Sequence, residues 1–240
     1  DGVDFSGDVD SIVVPGTKVL KNITFNHIYS NANPQTANKV TDYSKVATAC
    51  GGAASYLRKA VIFVQRTDSA KTIENFTVKN SAFMMNGAEG TVAVLLNNRP
   101  VGFVLENNLF DNGKTSTVEN EAFLICRSGG SIVVENNTFN WSTSSVTFAI
   151  GLTRSSSNNS KGTFDIVGNA FDGGANGVLD LHFGTIRDDD LVNVENNTFT
   201  NGQNSTQLFN LDNLRDSSKL LVNIIKLSRM SLPFIPIKMI

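Results

Sequence analysis

Apolar and polar residues alternate with a period of two in several short segments of the chain, a pattern that predicts β-strands. The alternation belongs to an eight-position string that recurs along the sequence: apolar, any, apolar, any, Asn or Gly, Asn, small, Phe. Clear copies of the string lie at 103–110, 132–139, 164–171 and 192–199, and weaker copies at 21–28 and 76–83. The closing phenylalanines follow one another at similar intervals, at Phe83, Phe110, Phe139, Phe171 and Phe199.

A second run of strand-forming residues lies midway through each repeat. Short strands separated by Gly, Asn and Ser turns, without a helix-length period, are typical of a parallel β-solenoid and exclude helical repeats of similar length. The midway runs are 60–64, 91–96, 122–126, 146–152, 177–183 and 207–211.

The composition fits stacked coils, because Asn is unusually frequent and most of the aromatic side chains are Phe. In a solenoid, one turn position stacks in successive coils at about 4.8 Å. An Asn amide can donate to one neighbour and accept from the other, and Asn tolerates a left-handed backbone. We therefore predict an internal column of the closing phenylalanines and a ladder of Asn80, Asn169 and the pairs 107/108, 136/137 and 196/197.

With its Asn ladder and stacked apolar columns, the chain resembles the right-handed parallel β-helix proteins of the pectin-lyase-like superfold, over about residues 10–215. The resemblance implies an all-β, single-stranded, right-handed parallel β-helix (solenoid) of about six to seven coils of 27–32 residues. That fold hosts polysaccharide lyases, glycoside hydrolases, phage tailspikes and bacterial surface adhesins, so it does not by itself select a function.

We predict a β-helix over 1–216, with an inserted loop at 29–59 where the repeat is interrupted. Residues 221–224 match 191–194, after which the pattern stops. Two interpretations of 217–240 stay open: a cap over the end of the solenoid, or a non-native tail.

Charge and residue counts exclude several classes of function. A net charge of −2 with 18% charged residues argues against nucleic-acid binding by counterion release. Two His and two Cys exclude most His-centred metal or triad chemistry and Cys-rich zinc sites. No apolar window is long enough for a membrane span, so none is expected. Free thiols are the default for Cys50 and Cys126.

Six of the eight arginines follow the midway strand by a similar interval in successive repeats. Stacked guanidinium groups repel one another unless solvent, acids or an anion screens them, and Arg binds carboxylate and sulfate in bidentate fashion. An anionic polymer is therefore one interpretation, and hydrogen bonding within the turn and to nearby Asp residues is the other. The residues are Arg66, Arg99, Arg127, Arg154, Arg187 and Arg215.

The inserted loop carries Tyr43 and Tyr56, which could stack on sugar rings, although an inert flap fits the sequence equally well.

Another column is charged: Lys79, Glu106 and Glu135 occupy the same position ahead of successive closing phenylalanines. Adjacent carboxylates could attract a cation. The resemblance implies lyase chemistry for such a face, in which acids hold calcium and a basic residue removes a proton. A solvated strand face with a Lys–Glu pair is the alternative. The family patterns Trp-Ile-Asp-His, Arg-x-Pro-x-x-Arg and His-Gly are absent, and His182 alternates with apolar residues as a strand residue does.

Seven Asn-x-Ser/Thr sequons occur, beginning at Asn22, Asn75, Asn136, Asn140, Asn158, Asn196 and Asn204. Those at Asn136 and Asn196 coincide with the predicted ladder, where a glycan would disrupt stacking, and we expect them to be by-products of the repeat.

The expected function is a non-catalytic module, secreted or on a bacterial cell surface, that binds an acidic polysaccharide or a host glycan through the arginines and the inserted loop. No cofactor is expected. One alternative is a lyase on uronic-acid polymers, with calcium as a possible cofactor, and another is a structural stalk without a ligand.

Overall fold

A computed structural model of the protein describes fifteen segments of the chain. They are residues 3–8, 12–16, 20–31, 59–66, 73–84, 91–97, 100–112, 122–128, 131–141, 150–154, 162–173, 181–183, 190–201, 209–211 and 219–228. In these segments the regular structure is β-strand, and no helix with the length and hydropathy needed to cross a membrane is found there.

The strands pair in parallel with strands of the preceding and following coils, and they form two hydrogen-bonded sheets. A 13-stranded sheet has two halves. The first half contains β1 (Val3–Asp8), β3 (Leu20–Asn31), β5 (Ile73–Lys79), β8 (Pro100–Val101), β9 (Phe103–Glu106), β12 (Ser131–Glu135), β15 (Thr163–Val167), β18 (Leu191–Thr200) and β20 (Lys219–Ser228). The second half contains β6 (Ala82–Met84), β10 (Leu109–Asn112), β13 (Thr138–Trp141) and β16 (Ala170–Asp172), and β1, β3, β18 and β20 run through both halves.

The other sheet has seven strands, most of which come from the midway runs of the repeat. They are β2 (Ile12–Gly16), β4 (Lys59–Arg66), β7 (Thr91–Asn97), β11 (Ala122–Ser128), β14 (Ile150–Arg154), β17 (Leu181–Phe183) and β19 (Phe209–Leu211). Each overlaps a run that the sequence predicts, apart from β2, which the repeat did not reveal. The chain therefore forms a single-stranded parallel β-helix, and the fold-class prediction is confirmed.

The closing phenylalanines stack inside the β-helix as the repeat predicts. Phe110 pairs in register with Phe83 and Phe139, and Phe171 pairs with Phe139 and Phe199. Their ring centroids are 4.8–5.1 Å apart and their planes are inclined by only 4–8°. All five side chains are buried. The step lengths of the repeat thus match the register between coils, because each coil must return a phenyl ring to the same place.

The Asn-Asn pairs divide into two columns rather than forming one ladder. The second Asn of each pair is buried, and these side chains bond to one another from coil to coil. The Nδ2 groups donate to the next Oδ1 at 3.0 Å in the steps 108 to 137, 137 to 169 and 169 to 197. The ladder therefore contains Asn108, Asn137, Asn169 and Asn197.

The first Asn of each pair lies outside the ladder, at the corner between the two halves of the 13-stranded sheet. Asn107, Asn136 and Asn196 are exposed and have a left-handed backbone, with φ of 54–56°. Asn80 also belongs to this corner, with φ of 51°, so its predicted place in the ladder was wrong. Ser81 occupies the ladder position of that coil, where its Oγ accepts a hydrogen bond from Ile28 N at 3.0 Å.

The first copy of the repeat is displaced by two positions from where the sequence predicts it. Strand β3 pairs Ile23 with Phe76 and Ser30 with Phe83, so the copy spans 23–30 instead of 21–28. Ile28, taken from the sequence as the closing residue, instead holds the ladder position opposite Ser81. Consequently β3 continues to Asn31, into the segment predicted as a loop.

Both ends of the described β-helix carry a layer beyond the six copies of the repeat. At the beginning, β1 pairs with β3, with Val3 opposite Ile23. At the end, β20 pairs with β18, with Lys219 opposite Leu191 and Leu227 opposite Phe199. The sequence match had aligned Leu221 with Leu191, so the true register differs from it by two positions. Residues 229–240 lie outside the described part, and the choice between a cap and a non-native tail stays a prediction.

Candidate ligand-binding surfaces

Three of the predicted arginines lie near the carboxyl ends of strands in the seven-stranded sheet. Arg66 and Arg154 are the last residues of β4 and β14, and Arg127 is the last but one of β11. The register places Arg127 opposite Thr153, whereas Arg154 lies opposite Ser128. Arg127 is thus offset by one position from Arg154, so the arginines do not form the single column that their similar spacing predicts.

The register places Arg66 and Arg154 at equivalent positions along their strands. Gln65 and Arg127 both pair with Asn97, so Arg66 corresponds to the residue after Arg127, which is Ser128. In parallel sheets, adjacent strands are about 4.8 Å apart. Because β7 lies between β4 and β11, Arg66 is about 10 Å from the layer of Arg127, and Arg154 is about 5 Å from it.

The remaining predicted contacts of this surface fall outside the described residues. They are Arg99, Arg187 and Arg215, and Tyr43 and Tyr56 of the inserted segment.

The charged column on the 13-stranded sheet is formed as the sequence predicts. Glu106 is in register with Lys79 on one side and with Glu135 on the other. All three side chains are partly exposed, which agrees with an outward-facing position between the buried residues of each strand. Val167 and then Glu195 continue the column.

The adjacent carboxylates of Glu106 and Glu135 are not neutralised by a close ion pair with Lys79, since no such pair is formed among the described residues. Glu106 Oε1 instead accepts a hydrogen bond from Asn107 Nδ2 at 3.1 Å. An ion pair does form in the neighbouring part of the sheet, between Lys21 Nζ and Glu74 Oε2 at 2.7 Å. Like charges in directly opposed positions are unfavourable, so a cation near Glu106 and Glu135 would lower their mutual repulsion.

The described residues contain no group of three or more His, Cys, Asp and Glu side chains suited to holding a metal ion. On the outward face of the 13-stranded sheet, the structure brings together the carboxylates of Glu106 and Glu135 and the amine of Lys79.

Other side chains considered in the sequence have places in the strands or at the corner. His182 lies in β17 opposite Gly151 and Asn210, and Cys126 lies in β11 opposite Leu96 and Leu152. His27 is exposed at the left-handed corner, with φ of 55°.

Asp190 has a structural role. Its side chain is buried, and Oδ1 accepts a hydrogen bond from Gly162 N at 2.8 Å. A carboxylate in this position fixes the start of β15 against the following coil.

The sequence did not identify an exposed apolar pair on the second half of the 13-stranded sheet. Tyr29 and Leu109 are 46% and 36% exposed, and both are in register with Ala82, which lies between them. Tyr29 was overlooked because the predicted loop began at this residue. Most other copies of the repeat have a small residue at this position, so an aromatic residue there is the signal that could have revealed Tyr29.

No protein-family model matches this sequence, and comparison with curated proteins finds no match.

Proposed function

We propose that the chain is a non-catalytic extracellular module, secreted or displayed on a bacterial surface, whose arginines contact an acidic polysaccharide or a host glycan. The observation that carries this proposal is the position of Arg66, Arg127 and Arg154 near the carboxyl ends of β4, β11 and β14. The repeat and the Asn ladder also support a relationship with the pectin-lyase-like superfold, which includes surface adhesins.

Arg is suited to such a ligand because its planar guanidinium group donates two parallel hydrogen bonds to a carboxylate or sulfate. Arg127 is offset by one strand position from Arg66 and Arg154, so one extended polymer would contact the three where the strands end, in layers about 5 and 10 Å apart. The combined contacts then give useful affinity although each exposed charge pair contributes only about 0–1 kcal/mol.

A glycan array that includes sulfated, uronic-acid and neutral oligosaccharides tests the proposal. We expect binding to acidic glycans, an affinity that falls as salt is raised, and a loss of roughly tenfold in the double variant Arg127→Ala/Arg154→Ala. Lys21→Ala is the matched control, because it removes a positive charge from the other sheet at a residue that neither candidate function uses, and it should leave glycan binding unchanged. Binding that is insensitive to salt and to the arginine variant would contradict the proposal.

A second candidate is a lyase on uronic-acid polymers, and the register that places Lys79 beside Glu106 and Glu106 beside Glu135 favours it. In this mechanism, Lys79 would remove the proton next to a uronate carboxyl group, the glycosidic C–O bond one carbon further on would break to leave a carbon–carbon double bond, and the two glutamates would hold calcium. Unsaturated products released from polygalacturonate or alginate in the presence of calcium, and lost in Lys79→Ala, would establish this activity.

The third candidate is a structural stalk without a ligand. The continuous Phe and Asn columns of the described coils favour it, because they give the β-helix a regular core. It would be supported if the array showed no binding and the polymers were not cleaved.

A further inference from the structure

Five of the seven sequons begin in the described residues, and their acceptor amides have different surroundings. In the sequons at Asn136 and Asn196, the acceptor is the first Asn of a pair, and the ladder residue is the middle one. Asn137 and Asn197 are 1% and 0% exposed, while Asn136 and Asn196 are exposed. These two acceptors therefore lie outside the ladder, contrary to the prediction that placed both residues of each pair in it.

Side-chain hydrogen bonds separate these two sequons from the other three described ones. Asn75 Nδ2 donates a hydrogen bond to Asn22 Oδ1 at 2.9 Å, so the amides of both residues are engaged, and Asn140 Nδ2 donates to Asp111 Oδ2 at 3.0 Å. Within the described part of the chain, the side chains of Asn136 and Asn196 make no hydrogen bond. Their nitrogen atoms can react without first breaking a contact of the fold.

A glycine in the layer between the two acceptors leaves room for the Asn136 amide. Asn136 and Asn196 have φ of 54° and 56°, and Gly168 occupies the equivalent place in the layer between them. Since Gly168 has no side chain, the Asn136 amide can lie over it, with Oδ1 2.7 Å from the position that a Cβ would take. The two acceptors are two layers apart, or about 10 Å.

The hydroxyl-bearing residue of each sequon is also accessible. Thr138 is exposed and Thr198 is partly exposed. An enzyme that recognises Asn-x-Thr could therefore contact both outer residues of the sequon while the middle Asn stays in the ladder.

We propose that Asn136 and Asn196 are acceptor sites for N-linked glycans in the folded protein. An oligosaccharyltransferase would join Nδ2 to the anomeric carbon of a polyprenyl-pyrophosphate-linked oligosaccharide. The new C–N bond replaces the C–O bond to the pyrophosphate, which leaves, and a catalytic base of the transferase takes the proton from Nδ2. The modification is independent of the arginines, because it adds a carbohydrate to the 13-stranded sheet and the described arginines lie in the seven-stranded sheet.

The test incubates the purified folded chain, and separately synthetic peptides that contain the same sequons, with a single-subunit oligosaccharyltransferase and its lipid-linked oligosaccharide. Peptide mass spectrometry then measures the occupancy of each sequon. In the folded chain, we expect modification at Asn136 and Asn196, and occupancy roughly two- to tenfold lower at Asn75 and Asn140, where a hydrogen bond must break. In the peptides, this preference should disappear.

Two variants make the assignment specific. Thr138→Ala removes the sequon without changing Asn136 and should abolish modification at that site alone, whereas Thr138→Ser keeps the sequon and should retain it. The proposal is overturned if the folded chain is not modified at Asn136 and Asn196, or if Asn75 and Asn140 are modified to the same extent as these two.

Discussion

At the corner between the two halves of the 13-stranded sheet, the backbone of successive coils is left-handed, and this conformation selects the residue type. Asn, with its short polar side chain, and Gly adopt it at low cost, whereas most other residues are strained there. The sequence pattern "Asn or Gly, then Asn" records this requirement in its first position. The corner residues are His27, Asn80, Asn107, Asn136, Gly168 and Asn196.

A prediction at this scale concerns Gly168, whose φ is 67°. We expect Gly168→Val to lower the free energy of unfolding by about 2 kcal/mol, because a β-branched residue is strained in the left-handed region. The Asn136 side chain can move away from a new Cβ, so backbone strain dominates. Urea denaturation measures the change.

Gly168→Asn is the matched control for this prediction. Asn occupies the same position in the adjacent coils, so the substitution should lower the free energy of unfolding by less than about 1 kcal/mol. Equal losses in the Val and Asn variants would show that lack of space, and not backbone conformation, determines the residue at this corner.

At the scale of the elements, the Asn ladder joins each coil to the next. One of its middle members, Asn137, uses the full hydrogen-bonding capacity of its side chain. Asn137 Nδ2 donates to Leu105 O at 2.8 Å and to Asn169 Oδ1 at 3.0 Å. Asn137 Oδ1 accepts from Asn108 N and Asn108 Nδ2 at 2.9 and 3.0 Å. Both polar atoms of this buried side chain therefore have two partners, which offsets the cost of removing the amide from water.

We expect Asn137→Ala to lower the free energy of unfolding by roughly 3 kcal/mol or more, because it leaves several buried donors and acceptors without partners. Asn137→Ser should cost less, since Ser81 fills the same position, where its Oγ accepts from Ile28 N and donates to Lys79 O. Chemical denaturation compares the two variants.

The control for the Asn137 variants is Asn136→Gly, which changes the residue just before the ladder residue. Asn136 is exposed and Gly fits its positive φ, so the change should be within about 0.5 kcal/mol. A loss as large as that of Asn137→Ala would contradict the division of the Asn pairs into a structural and a surface column.

At the scale of the whole molecule, each layer of the β-helix contacts mainly the layer before and the layer after it, as in other repeat proteins. Middle strands such as β12 bond to a strand on each side, here β9 and β15. Within the described segments, β1 pairs only with β3, and β20 pairs only with β18. The stability of a layer should therefore depend on its distance from the ends.

Native-state hydrogen exchange tests this expectation. The backbone amides of β12 and β15 should exchange at least roughly tenfold more slowly than those of β1 and β20, because end layers can open without breaking the middle. Similar protection in all these strands would mean that the β-helix opens as one cooperative unit.

The strand positions, the solenoid fold and the internal Phe column could be predicted because they depend on local alternation and on a repeat length visible in the chain. The charged column of Lys79, Glu106 and Glu135 followed from the same alignment. The copy at 21–28 was misplaced because Ile28 imitates the closing apolar residue, while Ser30 actually lies opposite Phe83. The arginines were assigned to one column because their similar spacings look equivalent until the strands are paired.

By itself, the sequence determined a parallel β-helix, since a buried phenyl ring and a buried amide in successive coils leave a periodic trace in the residue types. Only the tertiary structure decided which Asn of each pair is buried, how the end layers align, and which amides are open to modification. These properties depend on hydrogen bonds between coils that are far apart in the chain, and neighbouring residue types do not encode them.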